Sequence, residues 1–328
     1  MGGITLVLLL LLGPVFPAKG GQSGLAPDEI NLKGYWKFQI GDQAQWASAD
    51  FSDAGWPQIK VPSRWEDAGY EGYDGIAWYR TSVVIPREMS DRTLVLRMGY
   101  IDDADEVYLN GRLIGKSGTF PPRHITAFNA LRNYQVPANL VRFGEQNVIA
   151  VRVYDSHLEG GIVSGDVKIF SDRSVPSFDV MLTGEWMFNK GFQYDPSGHE
   201  TIFVPGAWES QGYEGYNGYA VYTRKLKISP GLARQRLVLM AGRIDDVDRL
   251  YINGQFIGET GDYDARYPET RYREIRNYFI PPGVLKSDSE NIIELRIRDT
   301  GGEGGVTEGP VGIITQDKFR QYWKNRGR

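Results

Sequence analysis

An internal duplication limits what this chain can fold into more than any other feature. Residues 61–118 align without a gap on residues 204–261, and 27 of the 58 positions are identical. Val61-Pro62 repeats as Val204-Pro205, Trp65-Glu66 as Trp208-Glu209, and the run Gly69 to Tyr73 as Gly212 to Tyr216. Ile101-Asp102-Asp103 repeats as Ile244-Asp245-Asp246, and Asn110-Gly111 as Asn253-Gly254. The register then slips by one, so that Arg132-Asn133-Tyr134 meets Arg276-Asn277-Tyr278, Asp155 meets Asp299, and Gly160-Gly161 meets Gly304-Gly305. Upstream, Gly34, Trp36 and Phe38 match Gly184, Trp186 and Phe188. A period of about 145 residues is too long for a solenoid and long enough for a complete domain with its own core. The chain is therefore expected to hold two copies of one domain, at 30–172 and 179–316, followed by a basic tail at 317–328. The boundary falls in the polar stretch from Ser171 to Phe178, which carries Pro176.

Inside each copy the periodicity is that of strands. Thr93 to Met98, Val107 to Leu109 and Asn147 to Val153 are short alternating or β-branched runs. Asn110-Gly111 and Asn253-Gly254 are hairpin signals, because a two-residue type I′ turn needs positive φ at both positions. Forty glycines and 19 tyrosines suit turns and β surfaces. No helix longer than two turns is expected within either copy. The reading is an all-β chain of two tandem β-sandwiches.

The first 20 residues read as a secretory signal. Ile4 to Leu12 is apolar apart from Thr5, Gly13-Pro14 breaks the run, and Ala18-Lys19-Gly20 offers small residues to a peptidase. The run is too short to span a bilayer, and no other stretch reaches that length. With no cysteine, lipid attachment through a thiol, disulfides and thiolate metal sites are excluded. A secreted or periplasmic location is expected. Thirty-seven basic residues against 41 acidic ones give a formal charge of −4, without the basic footprint of a nucleic-acid binder.

The ordered motifs Gly-x-Trp-x-Phe, Val-Pro-x-x-Trp, Gly-x-Ala-x-Tyr, Asp-Asp-x-Asp-x-x-Tyr-x-Asn-Gly and Arg-x-Tyr occur in both copies. Together they resemble the jelly-roll sugar-binding domain of glycoside hydrolase family 2, one of the galactose-binding-like folds. Similar modules occur in β-galactosidases, sialate O-acetylesterases and the extracytoplasmic parts of some sensors. The resemblance implies two tandem jelly rolls from Gly34 to Ile314. It implies carbohydrate recognition less strongly, since one fold hosts many roles. The hydrolases of that family carry their catalytic carboxylates on a separate barrel, for which these 328 residues leave no room. Related jelly rolls often hold calcium, so a structural calcium ion elsewhere in each module is compatible with the resemblance.

Candidate ligand residues concentrate in the loop from Arg64 to Gly75 and in its twin from Ala207 to Gly218. Aromatic faces pack under sugar C–H patches, and carboxylates accept from hydroxyls. Trp65, Glu66, Tyr70, Glu71, Tyr73 and Asp74 have that chemistry, as do Trp208, Glu209, Tyr213, Glu214, Tyr216 and Asn217. The competing reading is that the tryptophans plug the end of the barrel and the tyrosines brace the loop. Asp155 and Asp299 end the last long strand before glycine-rich loops, and are expected to contribute to the same pocket or to cap the turn. Arg80 is a further candidate in the first copy. The second copy has Val221-Tyr222-Thr223 where the first has Trp78-Tyr79-Arg80, and Arg224 comes one step later, which alternation places on the opposite face.

The clusters Asp102, Asp103, Asp105 and Asp245, Asp246, Asp248 could suggest a metal, but they lie just before a strand, where alternation separates them. One Asp of each is expected to accept from backbone amides or to pair with Arg132 or Arg276. His124, His157 and His199 lack metal-ligand spacing, and no Gly-x-Ser-x-Gly elbow is present. In the tail, Phe319, Tyr322 and Trp323 fall at i, i+3 and i+4, as in a short amphipathic helix packed on the second copy. The expected function is non-catalytic binding of a glycan or polysaccharide. The alternatives are an accessory portion serving a hydrolase partner chain, and a structural or sensor module without a sugar site.

Overall fold

The computed structural model describes residues 28–326 except 123, 173 and 193–199. The expected signal segment and His199 lie outside the described residues. Both halves are antiparallel β-sandwiches, and each has its own apolar core.

The first module runs β1 (Glu29–Asn31), β2 (Gly34–Ile40), β3 (Gln58–Val61), β4 (Gly75–Val84) and β5 (Leu94–Asp102). It continues with β6 (Ala104–Leu109), β7 (Arg112–Ser117), β8 (Leu131–Val136), β9 (Gln146–Asp155) and β10 (Gly161–Ser171). A six-stranded sheet, ordered β3-β2-β4-β9-β6-β7, packs on a four-stranded one, ordered β1-β10-β5-β8. The second module repeats this plan. Its first strands are β11 (Val180–Met181), β12 (Gly184–Lys190), β13 (Glu200–Val204), β14 (Gly218–Leu226) and β15 (Leu237–Asp245). The last are β16 (Val247–Ile252), β17 (Gln255–Thr260), β18 (Ile275–Ile280), β19 (Asn291–Asp299) and β20 (Gly305–Thr315). Its sheets are ordered β13-β12-β14-β19-β16-β17 and β11-β20-β15-β18.

The repeated motifs do repeated work. The Asn-Gly hairpins have φ of 50° and 81° at Asn110 and Gly111, and 53° and 77° at Asn253 and Gly254, as a type I′ turn requires. Trp36 and Trp186 each donate an indole N–H to a carbonyl four residues back, Leu32 and Leu182, at 2.8 Å. This lets a ring with one polar atom sit in the core at no hydrogen-bonding cost.

Two differences between the modules matter for function. Residues 44–56 of the first module fold over the outer face of its six-stranded sheet, where Trp46, Phe51 and Trp56 gather on Trp78. In the second module a single turn, α1 (Pro230–Ala233), and a C-terminal helix, α2 (Gln316–Arg326), are the α-helices among the described residues. Phe319, Tyr322 and Trp323 of α2, with Phe178, cover Val238, Met240 and Ile314 on the outer face of the four-stranded sheet. The tail thus packs on the second module through the three aromatic residues that its spacing picked out.

Candidate functional site

The Trp-Glu loops close the end of each sandwich. Trp65 is fully buried in the first core and Trp208 in the second. Each backbone N–H binds the carbonyl of a glycine in the last loop, Gly160 or Gly304, at 3.0 Å. The indoles lie so close to these glycines that a Cβ on Gly160 would sit 1.9 Å from Trp65, and one on Gly304 2.0 Å from Trp208. A sealed ring presents no face to a sugar, so the expectation that Trp65 and Trp208 contact ligand is corrected: they are plugs.

Glu66 and Glu209 fasten the same loops, accepting from the Gly160 amide at 3.2 Å and the Gly304 amide at 2.9 Å. Tyr70 and Tyr213 pack on Phe38 and Phe188 with ring centroids 4.7 and 4.6 Å apart. Tyr73 and Tyr216 donate their hydroxyls to the carbonyls of Ile76 and Tyr219 at 2.7 Å. Glu71, Asp74, Glu214 and Asn217 remain exposed.

Arg80 is likewise corrected. Its side chain is 1% exposed and faces the outer side of the sheet beneath residues 44–56. There it pairs with Asp53 at 2.8 Å and donates to the carbonyls of Trp46, Ser48 and Phe51. It is a clasp for that loop. Arg224, one step out of phase, instead donates to the Glu185 carbonyl.

The chemistry gathers at the Asp-Asp turn between β5 and β6. Asp105 pairs with Arg132 at 2.7 Å with both side chains excluded from water, and Tyr134 donates to the other oxygen of Asp105. The Arg132 guanidinium also binds the carbonyls of Ile101 at 2.8 Å and Asp103 at 3.1 Å, which fixes the turn. Asp248, Arg276 and Tyr278 repeat the arrangement. The expected Asp–Arg pairing is therefore found in both modules.

Clamped in this way, Asp102, Asp103 and Asp155 bring one carboxylate oxygen each within 4.8 Å of one another, as do Asp245, Asp246 and Asp299. The strands run in directions that separate neighbouring acids, yet the turn and the end of β9 converge. Asp103 accepts from the Ser156 amide at 3.0 Å, from the Ser156 hydroxyl at 2.7 Å and from Thr126. Burial opposes its charge, but these bonds hold its pKa below the usual value. Asp102 is pushed up to about 7, by burial first and then by its hydrogen bond to Asp103 and the charge there. Asp155 is pushed up to about 6 by burial and by the charges of Asp103, Asp74 and Glu66. Its second oxygen is buried with no hydrogen-bond partner, and so is that of Asp299. Asp245 and Asp299 are raised to about 7 and about 6 for the same first reason, burial.

These three carboxylates are the residues that could hold a hard cation. Such ions take six to eight oxygens, whereas here three acids converge and the oxygens of Asp103 already accept three bonds. The set suits hydroxyl donors at least as well.

Above the first triad opens a cleft of about 600 Å³ lined by Asp102, Asp103, Thr126, Phe128, His157, Leu158 and Glu159. Phe128 is 54% exposed at its rim. Its counterpart after the one-residue slip is Tyr272, 43% exposed, two residues beyond Thr270, which bonds Asp246 as Thr126 bonds Asp103. Carboxylates beside an exposed ring are the combination sought in the Trp-Glu loop, relocated by one loop. Phe128 and Tyr272 were not singled out by sequence. The signal that could have found them is their common offset from Arg132 and Arg276.

Residues 41–159 match the family model described as the β-galactosidase second all-β domain. The chain is 28% identical over 120 residues to a β-galactosidase of Vibrio vulnificus, covering 29% of this chain and 12% of that protein. It is 26% identical over 132 residues to a β-glucuronidase of Formosa agariphila, covering 36% of this chain and 12% of that protein. The chain thus spans about an eighth of the length of these curated relatives. Among solved structures, a Bacteroides uniformis β-glucuronidase aligns with a TM-score of 0.38 and 15% identity, over 85% of this chain and 28% of that one. The class is an all-β domain of two sandwiches. More particularly, the first module is similar to the all-β domains of β-galactosidases and β-glucuronidases of glycoside hydrolase family 2.

Proposed function

We propose that this protein recognises carbohydrate without transforming it, through the acidic loop end of each jelly roll, and that it does so outside the cytoplasm. The observation that carries the reading is the cleft of the first module, where Asp102 and Asp103 stand beside the exposed ring of Phe128; Tyr272 holds the matching sequence position in the second module. Sugar hydroxyls would donate to Asp102 and Asp103, which line the cleft, and to Asp245 and Asp246 in the second module. The ring C–H face would lie on Phe128 or Tyr272. One module of this kind binds weakly, and two on one chain gain by effective concentration when both reach one glycan. The apolar segment from Ile4 to Leu12 and the lack of cysteine are the reasons for the secreted or periplasmic assignment.

A second reading is that the chain is an accessory portion working beside a glycoside hydrolase chain. The similarity to segments of a β-galactosidase and a β-glucuronidase favours it. A glycan array probed with the purified protein tests the first reading. Signals on saccharides that vanish with Asp102→Asn plus Asp245→Asn support it, and a blank array contradicts it. Co-purification of a barrel-containing hydrolase would favour the second.

A further inference from the structure

The outer face of the four-stranded sheet is used differently in the two modules. In the second it carries Val238, Met240 and Ile314, and α2 covers it. In the first, the equivalent positions are Val95, Arg97 and Phe170, and Gln135 stands where the second module has Phe279. This face is not covered by a helix. It forms the floor of a cleft of about 570 Å³ between the modules, walled by Lys116 of β7, by Pro205 and Pro310 of the second module, and by Arg326 of α2.

The charges in this cleft reverse those of the loop ends. Arg97, Lys116 and Arg326 line it together with a single carboxylate, Asp172, which accepts from the Ser174 amide at 2.8 Å. Lys116 stands where the second module has Glu259, and among the described residues no carboxylate lies within ion-pair distance of it. Its cross-strand neighbour Glu106 is engaged by Arg152 at 3.2 Å and Tyr108 at 2.8 Å, and Glu185 of the second module acts only from further off. Lys116 is half-buried, and this partial burial pushes its pKa down against the opposing charges of Glu106 and Glu185. Gln135 adds an amide nitrogen that is buried with no acceptor. Arg97 spends its Nε on Asn133 at 2.8 Å, with its guanidinium 4.9 Å from the Phe170 ring centroid. A half-buried ammonium without an ion-pair partner and a buried amide nitrogen without an acceptor, side by side, favour an anionic acceptor from outside.

We propose that this inter-module groove binds the carboxylate or sulfate groups of an anionic polysaccharide. The inference rests on the carbohydrate reading above, but it uses a different surface. Free sulfate and a sulfated or uronate polymer offer the same chemistry, so the experiment separates them. The full chain is run through affinity gels containing dextran sulfate, polygalacturonate or a panel of neutral polysaccharides, beside Lys116→Gln plus Arg97→Gln and beside Phe128→Ala plus Tyr272→Ala. The expected result is retention by at least one anionic polymer, weakened by salt and lowered about tenfold in the Lys116/Arg97 variant. Neutral-polymer retention and the melting temperature should be unchanged in that variant, while Phe128→Ala plus Tyr272→Ala should lower neutral retention alone. Equal retention of wild type and groove variant on both anionic gels overturns the groove, as does full displacement by an equal concentration of free sulfate. Retention on neutral gels without any on anionic ones also overturns the groove and leaves the carbohydrate reading standing. No retention on any gel overturns both.

Discussion

Asp105 and Arg132 face each other at 2.7 Å with neither side chain reached by water, and Asp248 and Arg276 repeat the pair at the same distance in the second module. A buried pair is costly to break from one side, because the remaining charge is left without a partner. Arg132→Met should therefore lower stability by about 3–5 kcal/mol, and Asp105→Leu plus Arg132→Met should recover only the part owed to the unpaired charge, since the carbonyls that Arg132 binds stay without a donor. Urea unfolding measures both. Each module has its own core, so the second module should keep its transition in the single variant. A loss of under about 1 kcal/mol for Arg132→Met would mean that the pair is not the clamp described here.

The tryptophan plugs make a prediction opposite to that of a stacking surface. Trp65→Ala should cost about 3–5 kcal/mol, as expected for emptying a buried indole site. Gly160→Ala should cost about 1–3 kcal/mol or more by forcing a methyl into the Trp65 ring. Thermal melts of both variants are the check. A Trp65→Ala protein that melts like wild type would return that ring to the surface.

Asp102 and Asp155, unlike Asp103, should make the protein less stable as pH rises from about 4 to about 7. Asp155 at about 6 and Asp102 at about 7 both lie above the ordinary carboxylate value of 3.8, with burial as the main cause. Between about pH 4 and pH 7 the folded chain then holds protons that the unfolded chain has released, so stability is lost as pH increases across that window. Asp155→Asn keeps the acceptor that binds the His157 amide and removes the titration. It should melt above wild type at pH 8 and alongside it at pH 4. Calorimetry at the two pH values reads the difference, and a variant that melts lower at pH 8 would contradict the assignment.

Much of the architecture could be read from residues alone because repetition multiplies weak signals. The Asn110-Gly111 and Asn253-Gly254 turns, the alternating runs of β5 and β9, and the aromatic spacing of Phe319, Tyr322 and Trp323 each have a local cause. The site was less legible because its causes are long-range. Trp65 is buried by Gly160, which lies far along the chain on another loop. Arg80 is covered by residues 44–56, for which the second module has no aligned counterpart among the described residues. Asp155 meets Asp102 and Asp103 only because β9 and the Asp-Asp turn end side by side. Phe128 and Tyr272 lie in loops without periodicity, and the chemistry they share is visible only once Thr126 and Thr270 are seen bonding the second Asp of each turn.

A sugar bound at each loop end would lie on the exposed ring of Phe128 or Tyr272. Affinity electrophoresis through neutral polysaccharides, comparing wild type with Phe128→Ala plus Tyr272→Ala, tests it most directly. Neither ring is in a core, so the variant should melt with wild type. At least one polysaccharide should retard the wild type, and retardation should fall about tenfold in the variant. Equal retardation of the two proteins, or none of the wild type by any polysaccharide, would contradict it.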